Sequence, residues 1–224
     1  MFESLDNPIW FALTTEHRTL ARSHGIARRY APDVSPLAAL LHPTNDAFAD
    51  LRQLVSPGEP VALFTASPID VPGDWQIDRS RWIDQMICEA SLVPPPVAPL
   101  PLGTMDVPEM LELTAATEPG PFLPQTIQMG SYFGIRASEG RLVAMAGERL
   151  HTTAFTEISA VCTYPEFRGR GYARALTTFV AAQILAAGKI PFLHVKSENG
   201  AKVVYEKLGF RLRAGMCLNV ISLR

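Results

Sequence analysis

Cysteine is the first thing this 224-residue chain is short of. Cys88, Cys162 and Cys217 are odd in number, far apart and include no Cys-x-x-Cys pair. That excludes a disulfide framework and reads as reduced thiols in a cytoplasmic protein. An excess of one charge is missing too: 20 Lys+Arg against 22 Asp+Glu leave a formal net charge of −2, which argues against a general nucleic-acid surface. No apolar run approaches the roughly 18 residues that a membrane span requires. The acidic start, Met1-Phe2-Glu3-Ser4-Leu5-Asp6, lacks the basic region and apolar core of a secretory signal. His17, His24, His42, His151 and His194 stand alone, with no ligand spacing that would point to a metal. No internal repeat is present. The rest of the composition, 47% hydrophobic and 19% charged, is that of a globular chain long enough to bury a core.

The informative stretch is Thr156 to Ala187, TEISAVCTYPEFRGRGYARALTTFVAAQILAA. It begins as an alternating strand, with Glu157, Ser159, Val161 and Thr163 on one face and Ile158, Ala160 and Cys162 on the other. Pro165 ends that strand. Arg168-Gly169-Arg170-Gly171-Tyr172-Ala173 follows, and then a helix-period run through Leu176, Phe179, Val180 and Ile184 that stops at Gly188. A strand, a glycine loop and a helix in this order make an anion site, because the first helical N–H groups have no partners and carry the positive end of the dipole. Gly169 and Gly171 let the backbone approach a phosphate, and Arg168 and Arg170 add charged donors. Pyrophosphate suits such a loop best.

Two familiar phosphate loops fail here. A Walker A loop would end in Gly-Lys-Ser/Thr, and Gly171 is followed by Tyr172. A dinucleotide fingerprint would want a small residue where Arg174 stands, and an acid about 20 residues on, where Ile190-Pro191-Phe192 lies. A kinase or dehydrogenase is disfavoured on both counts. The pattern Arg/Gln-x-x-Gly-x-Gly/Ala is met by Arg168, Gly171 and Ala173. Downstream, Asn199-Gly200-Ala201 and Val204-Tyr205-Glu206-Lys207-Leu208-Gly209-Phe210 match an Asn-x-x-Ala…Tyr-x-x-x-Gly-Phe element. Together these resemble the acetyl-CoA site of the GNAT superfamily of N-acetyltransferases, over about Met105 to Leu223. The resemblance implies an α/β fold with a mixed, mostly antiparallel central sheet flanked by helices, preceded here by a smaller α/β N-terminal region.

Along the chain, residues 1–93 read as that N-terminal region. Helices are expected over Ile9–Arg29, Ala47–Leu54 and Arg81–Ser91, and strands over Pro60–Thr65 and Trp75–Ile77. Trp10, Trp75 and Trp82 read as core or interface residues, and a degenerate GNAT-like half is open by analogy only. Residues 94–104 form a proline-rich linker, with Pro94, Pro95, Pro96, Pro99 and Pro101 favouring polyproline II. A stiff surface strap is the first reading of it and a proline-motif ligand the second. Residues 105–224 are the acetyltransferase domain. It opens with a helix capped by Asp106 with Pro108 in its first turn, then a hairpin of Ser131–Ala137 and Arg141–Arg149 turning at Glu139-Gly140. After the long helix come a strand at Pro191–Lys196, a helix at Lys202–Leu208 and two strands within Phe210–Leu223.

The resemblance also assigns roles. Val161, Cys162 and Thr163 would bind the pantetheine arm through backbone, Arg168, Gly169, Arg170, Gly171, Tyr172 and Ala173 the pyrophosphate, and Asn199 would hydrogen-bond the acetyl-CoA. An alkyl amine has a pKa near ~10 and must lose a proton before it attacks. Glu157, whose place looks like that of the general base in the histone acetyltransferase branch, is the candidate, with Glu148 behind it. Tyr205 would donate to the leaving thiolate. Cys162, mid-strand and without a neighbouring histidine, reads as a small buried hydrophobe rather than a nucleophile, and His194 as a satisfied core histidine. The acceptor amine, on a small molecule, amino acid or peptide, would meet Thr117–Phe133 and Arg211–Leu218, with Glu118, Gln125, Gln128 and Tyr132 as recognition candidates. A non-catalytic acyl-CoA-binding sensor or partner module is the competing function. Longer acyl groups, as in the glycine N-acyltransferase-like branch, and a homodimer are both open.

Overall fold

The computed structural model describes residues 2–90, 92, 99–198 and 200–224. Most of the polyproline run and Asn199 lie outside them. Helix α1, Pro8–Thr14, has its proline in the first turn and the Asn7 side chain accepting from Trp10 N at 3.3 Å, a capping bond of the usual kind. It is far shorter than the Ile9–Arg29 helix expected. Thr14 and Thr15 bond back to Trp10 and Phe11 carbonyls, and Gly25 takes a φ of 44° in a tight turn between β1, Ala21–His24, and β2, Ala27–Tyr30. With β3, Ala38–Leu40, these form a three-stranded antiparallel sheet. Helix α2, Asn45–Arg52, is capped by Thr44, and β4 is Val61–Thr65.

Strand β5, Trp75–Ile87, takes in most of the segment expected to be a helix from Arg81. Ile83 and Ile87 enter one core cluster while Met86 and Cys88 enter another. Both faces of its second half are covered, so the alternation that marks a strand is blurred. Then come β6, Leu100–Leu102, α3, Val107–Thr117, β7, Tyr132–Arg136, and β8, Leu142–His151. Residues 100–102, expected in the linker, are an edge strand on β7, a place where Pro101 is tolerated. The chain ends with β9, Phe155–Thr163, α4, Tyr172–Ala186, β10, Ile190–Lys196, α5, Lys202–Lys207, and β11, Arg211–Leu223. The two strands expected after Phe210 are this one, whose Gly215 does not turn but pairs with Asp84.

The large sheet runs β4-β11-β5-β10-β9-β8-β7-β6, and every named pairing in it is antiparallel except β10 on β9. It is the mixed, mostly antiparallel, helix-flanked sheet that the sequence implied. The strand pairing does not stop at the proline-rich segment: β5, from before it, lies between β10 and β11 from after it. On one face Leu5, just before α1, and Ile9 and Leu13 of α1 pack with Ile83, Phe155 and Phe192, and α3 packs Met110 and Leu113 against Met145 and Cys162. On the other, α4 presents Leu176, Val180 and Ile184 at helical spacing to Met86, Ile158 and Leu193; each such burial stabilises by about 1.5–3 kcal/mol.

Candidate active site

A cleft opens where β9 and β10 part. The two pair in parallel only from Phe155–Ile190 to Glu157–Phe192. Beyond that, β10 continues to Lys196 held by β5, and β9 continues to Thr163 held by β8. A bulge bends β9 away: Ser159 opposes Gly147 and Cys162 opposes Met145, so Ala160 and Val161 share the single Ala146. Ala160 reaches this geometry with a φ of 53°, which costs a non-glycine residue roughly 1–2 kcal/mol. The bulge also reverses side-chain parity. Val161 joins Ile158 on the α4 face, while Ala160 and Cys162 pack with the α3 cluster on the other. The face expected to carry Glu157, Ser159, Val161 and Thr163 together therefore breaks after Ser159.

The parted strands turn main-chain N–H and C=O groups into the gap, and the gap joins the two sides of the sheet. Its cavity measures about 1150 Å³, above the ~300–1,000 Å³ of an ordinary ligand site, so there is room for two reactants to meet. On the α4 side it is bordered by Val161, Val195, Arg168, Ala173, Ala201 and Tyr205; on the other by Phe64, Arg79, Arg81, Ile83, Arg149 and the stretch from Thr117 to Phe122. Thr163, also on the border, has a buried Oγ1 with no hydrogen-bond partner among the described residues.

At the α4 mouth the glycine loop has the form its sequence suggested. Gly169 and Gly171 hold φ of 77° and 79°, the left-handed region that glycine enters without penalty. Gly171 is the residue before α4. Ala175 N bonds Gly171 O at 3.0 Å, so the N–H groups of Tyr172, Ala173 and Arg174 precede the helical ladder. Arg168 Nε donates to Thr163 O at 3.4 Å, and Arg170 lies over the Phe167 ring at 4.9 Å. Tyr205 sits on α5 at the cavity wall, edge-on to Phe210. Burial, then the neighbouring Cys162, push its phenol up to about 12, so it is a proton donor at neutral pH. Burial pushes the Cys162 thiol up to about 11, which leaves no thiolate to act as nucleophile.

Glu157 is wholly buried and does not border the cavity. Arg149 Nε donates to its Oε2 at 2.8 Å and Arg149 Nη2 to its Oε1 at 2.6 Å, and His194 Nδ1 lies 2.6 Å from Oε1. Burial alone would raise this carboxyl; the Arg149 guanidinium and the His194 N–H override it and hold it at about 2. The His194 tautomer follows from its other neighbour. Gln85 Oε1 accepts from Arg213 at 3.1 Å and Gln85 Nε2 donates to Leu5 O at 2.9 Å, which orients the amide. Its N–H2 then faces His194 Nε2 at 3.1 Å, leaving the ring proton on Nδ1. Arg213, Gln85, His194, Glu157 and Arg149 thus form one chain of bonds, buried at Gln85 and Glu157, that reaches the cavity through His194 and Arg149. Glu148 is elsewhere, accepting from Ser131 N at 3.0 Å.

The fold has close counterparts among solved structures. A GNAT-family structure from Novosphingobium aromaticivorans is 35% identical, with a TM-score of 0.92 over 99% of both chains. The chain belongs to the GNAT family. Within it, the model of the FR47-like protein family matches residues 132–218. More distant GNAT neighbours share the fold: a GCN5-related N-acetyltransferase from Kribbella flavida at 18% identity and TM-score 0.61, over 93% of this chain and 95% of that one, and a GCN5-related N-acetyltransferase-like protein from Streptococcus suis at 15% and 0.55, over 96% and 92%. No protein of curated function matches the sequence.

Of the acceptor-site candidates, Glu118 borders the cavity, whereas Gln125, Gln128 and Tyr132 do not, and Leu218 alone represents the Arg211–Leu218 segment. Glu118 ends α3 with a φ of 49°, one of two positive-φ non-glycine residues among the described ones; Ala160 is the other, and both line this GNAT cleft. Backbone strain concentrated at a site is a mark of function. Phe64, Arg79, Arg81 and Ile83 were missed because they lie before the proline-rich segment, where no motif was visible. The alternation of Arg79, Arg81 and Ile83 along β5 was the available signal. No helix among the described residues is long and apolar enough to cross a membrane, and none of their His, Cys, Asp and Glu side chains cluster in threes fit for a metal.

Proposed function

We propose that this GNAT protein is an acetyl-CoA-dependent N-acetyltransferase that moves the acetyl group directly from the thioester to a primary amine of a small molecule, amino acid or peptide. The observation that carries this is the wedge between β9 and β10 opening onto the Arg168–Ala173 loop. Acetyl-CoA would be a co-substrate, its pyrophosphate on the N–H groups that begin α4 and on Arg168 and Arg170, and its pantetheine amides against the backbone of Val161, Cys162 and Thr163. The free Thr163 hydroxyl offers one more polar contact there. Gly169, Gly171, Tyr172 and Ala173 complete the loop, and Asn199 remains a proposed cofactor contact.

The amine attacks the thioester carbonyl, the C–S bond breaks, and the thiolate takes a proton. Tyr205, protonated and at the cavity wall, supplies it and is reprotonated by the proton that the adduct nitrogen sheds as the amide forms. The ammonium proton has to leave before attack. Glu157 suits this poorly as a direct base, since both its oxygens are engaged and its carboxyl sits at about 2, far from the operating pH that a general base needs. We assign it instead to positioning Arg149 and His194, and give proton acceptance to Glu118, the one carboxylate on the cavity border among the described residues. A cytoplasmic location goes with this chemistry, as do three buried cysteines without a disulfide.

Calorimetric titration with acetyl-CoA and CoA, followed by an amine panel read by thiol release, tests the proposal. Tight binding with thiol release for one amine class is expected. Binding without turnover across the panel would make the chain a non-catalytic acyl-CoA module, and absence of binding would remove the cofactor assignment.

A further inference from the structure

The acceptor end of the cleft is charged in a way the acetyl donor does not require. Strand β5 pairs regularly from Arg79 to Gln85, its partners on β11 advancing in step from Val220 to Met216 for Arg79 to Ile83. Arg79, Arg81 and Ile83 therefore share one face, and Ile83 fixes that face as the α1 side, opposite α4. Leu218 pairs with Arg81, and Phe64 pairs with Leu218. All five border the cavity, so two guanidinium groups stand at the rim of an apolar floor.

Among the described residues neither arginine has a carboxylate partner. Arg149, deeper in, is neutralised by Glu157, and Arg29, Arg52, Arg136, Arg141, Arg211 and Arg213 all enter ion pairs. Arg79 and Arg81 enter none among the described residues. Asp78, between them and Ile77, is engaged by Gln76 and Ser222. Lys196, on the cavity border and paired with Ile83 across β10 and β5, adds a third cation to this end. A chain of net charge −2 thus carries a positive acceptor mouth with Glu118 as its one carboxylate among the described residues.

We propose that the acceptor is an α-amino acid with an apolar side chain, its carboxylate held by Arg79 and Arg81 and its side chain on Phe64, Ile83 and Leu218. The inference rests on the acetyl-transfer function proposed above. A planar guanidinium fork matches a carboxylate bidentately, and two of them would leave the amine to extend toward the thioester and Glu118.

The test uses the whole chain at saturating acetyl-CoA, comparing leucine with leucinamide and with 3-methylbutylamine, its decarboxylated counterpart, by thiol release. Leucine is expected to be the better acceptor by at least about 10-fold in kcat/KM, the usual consequence of losing a hydrogen bond to a charged group. Arg79→Met and Arg81→Met are expected to raise KM for leucine about 10- to 100-fold, with kcat for 3-methylbutylamine and the affinity for CoA unchanged. Binding of N-acetyl-leucine in the presence of CoA, by calorimetry, gives the same comparison without turnover and should fail in Arg81→Met. Equal use of leucine and 3-methylbutylamine, or arginine variants that bind N-acetyl-leucine as the parent does, overturns the inference and leaves acetyl transfer standing. Loss of CoA affinity in the arginine variants overturns it as well, by moving them to the donor. If acetyl-CoA itself does not bind, both fall.

Discussion

Glu157 shows how much a residue's place changes its meaning. Its position on the strand leading to the glycine loop was legible in the sequence; the Arg149 and His194 that close around it were not, because they come from the strands on either side, β8 and β10, and no local motif ties them to it. Replacing it by glutamine leaves the Arg149 guanidinium buried without a counter-charge, which destabilises by about 3–5 kcal/mol. For Glu157→Gln we expect a melting temperature about 10 °C lower in a chain of this size, reduced turnover and retained CoA affinity. A variant of unchanged stability with a rate lost only at low pH would restore the general-base role. His17 makes a second prediction. Burial, then the nearby His151, lowers its imidazole from 6.5 to about 3, so the folded state holds it neutral while the unfolded state takes up a proton. The stability this gives is complete above pH ~6.5 and is lost as pH falls from there toward 3. Glu157, lowered from 4.5 to about 2, adds a further loss only below pH ~4.5. Since Nδ1 of His17 is 2.8 Å from the Tyr30 hydroxyl, His17→Gln keeps an acceptor and removes the titration. Melting curves between pH 7 and 5 should flatten in that variant; an unchanged slope would assign the acid sensitivity elsewhere.

At the scale of elements, the strand–loop–helix from Phe155 to Ala186 was readable because its punctuation is local: Pro165, two glycines and an uninterrupted helical stripe. The bulge at Ala160 was not, since nothing about alanine announces a positive φ. Ala160→Gly should relieve that strain while keeping the bulge, and the gain, about 1–2 kcal/mol less the ~0.5–1 kcal/mol of glycine's added chain entropy, is expected as a slightly raised melting temperature. A fall would mean that the methyl group's packing in the α3 cluster outweighs the backbone. Gly171→Glu asks the opposite of its loop. A side chain finds open space there, but the residue must keep a φ of 79° and brings a carboxylate to the place proposed for pyrophosphate. Acetyl-CoA affinity should drop at least 100-fold; binding as tight as the parent's would disprove that placement. Beyond Ile77, strand β5 was lost to sequence reading for a different reason. Covered on both faces, its second half shows no alternation, and only its exposed first half, with Arg79 and Arg81, keeps the period of a strand.

For the molecule as a whole, composition and motif were enough to find the family but not the partition of the sheet. Trp75–Ile87 is bonded along one edge to β10 and along the other to β11, so the first 93 residues are not a detachable region in the pairing of strands. A fragment of residues 99–224 would expose the edges of β10 and β11 and the apolar faces of Phe192 and Met216. Expressed alone, it is expected to be aggregated or without a cooperative melting transition. A fragment that folds and binds acetyl-CoA would show that β5 is dispensable.

The same arrangement constrains the order of events when the chain is made. β4 and β5 are among the earliest strands synthesised, yet they do not pair with each other; the slot between them belongs to β11, which ends at Leu223. Pairings such as Leu223 with Trp75 span well over a hundred residues, and contacts that distant make folding slow. The sheet cannot close on the ribosome until Leu223 has emerged, and during that wait the Val61–Thr65 and Trp75–Ile87 edges stand open to other chains. A protein built this way depends on synthesis passing Leu223: each copy cut short within β11 is a chain with an unfilled slot between β4 and β5.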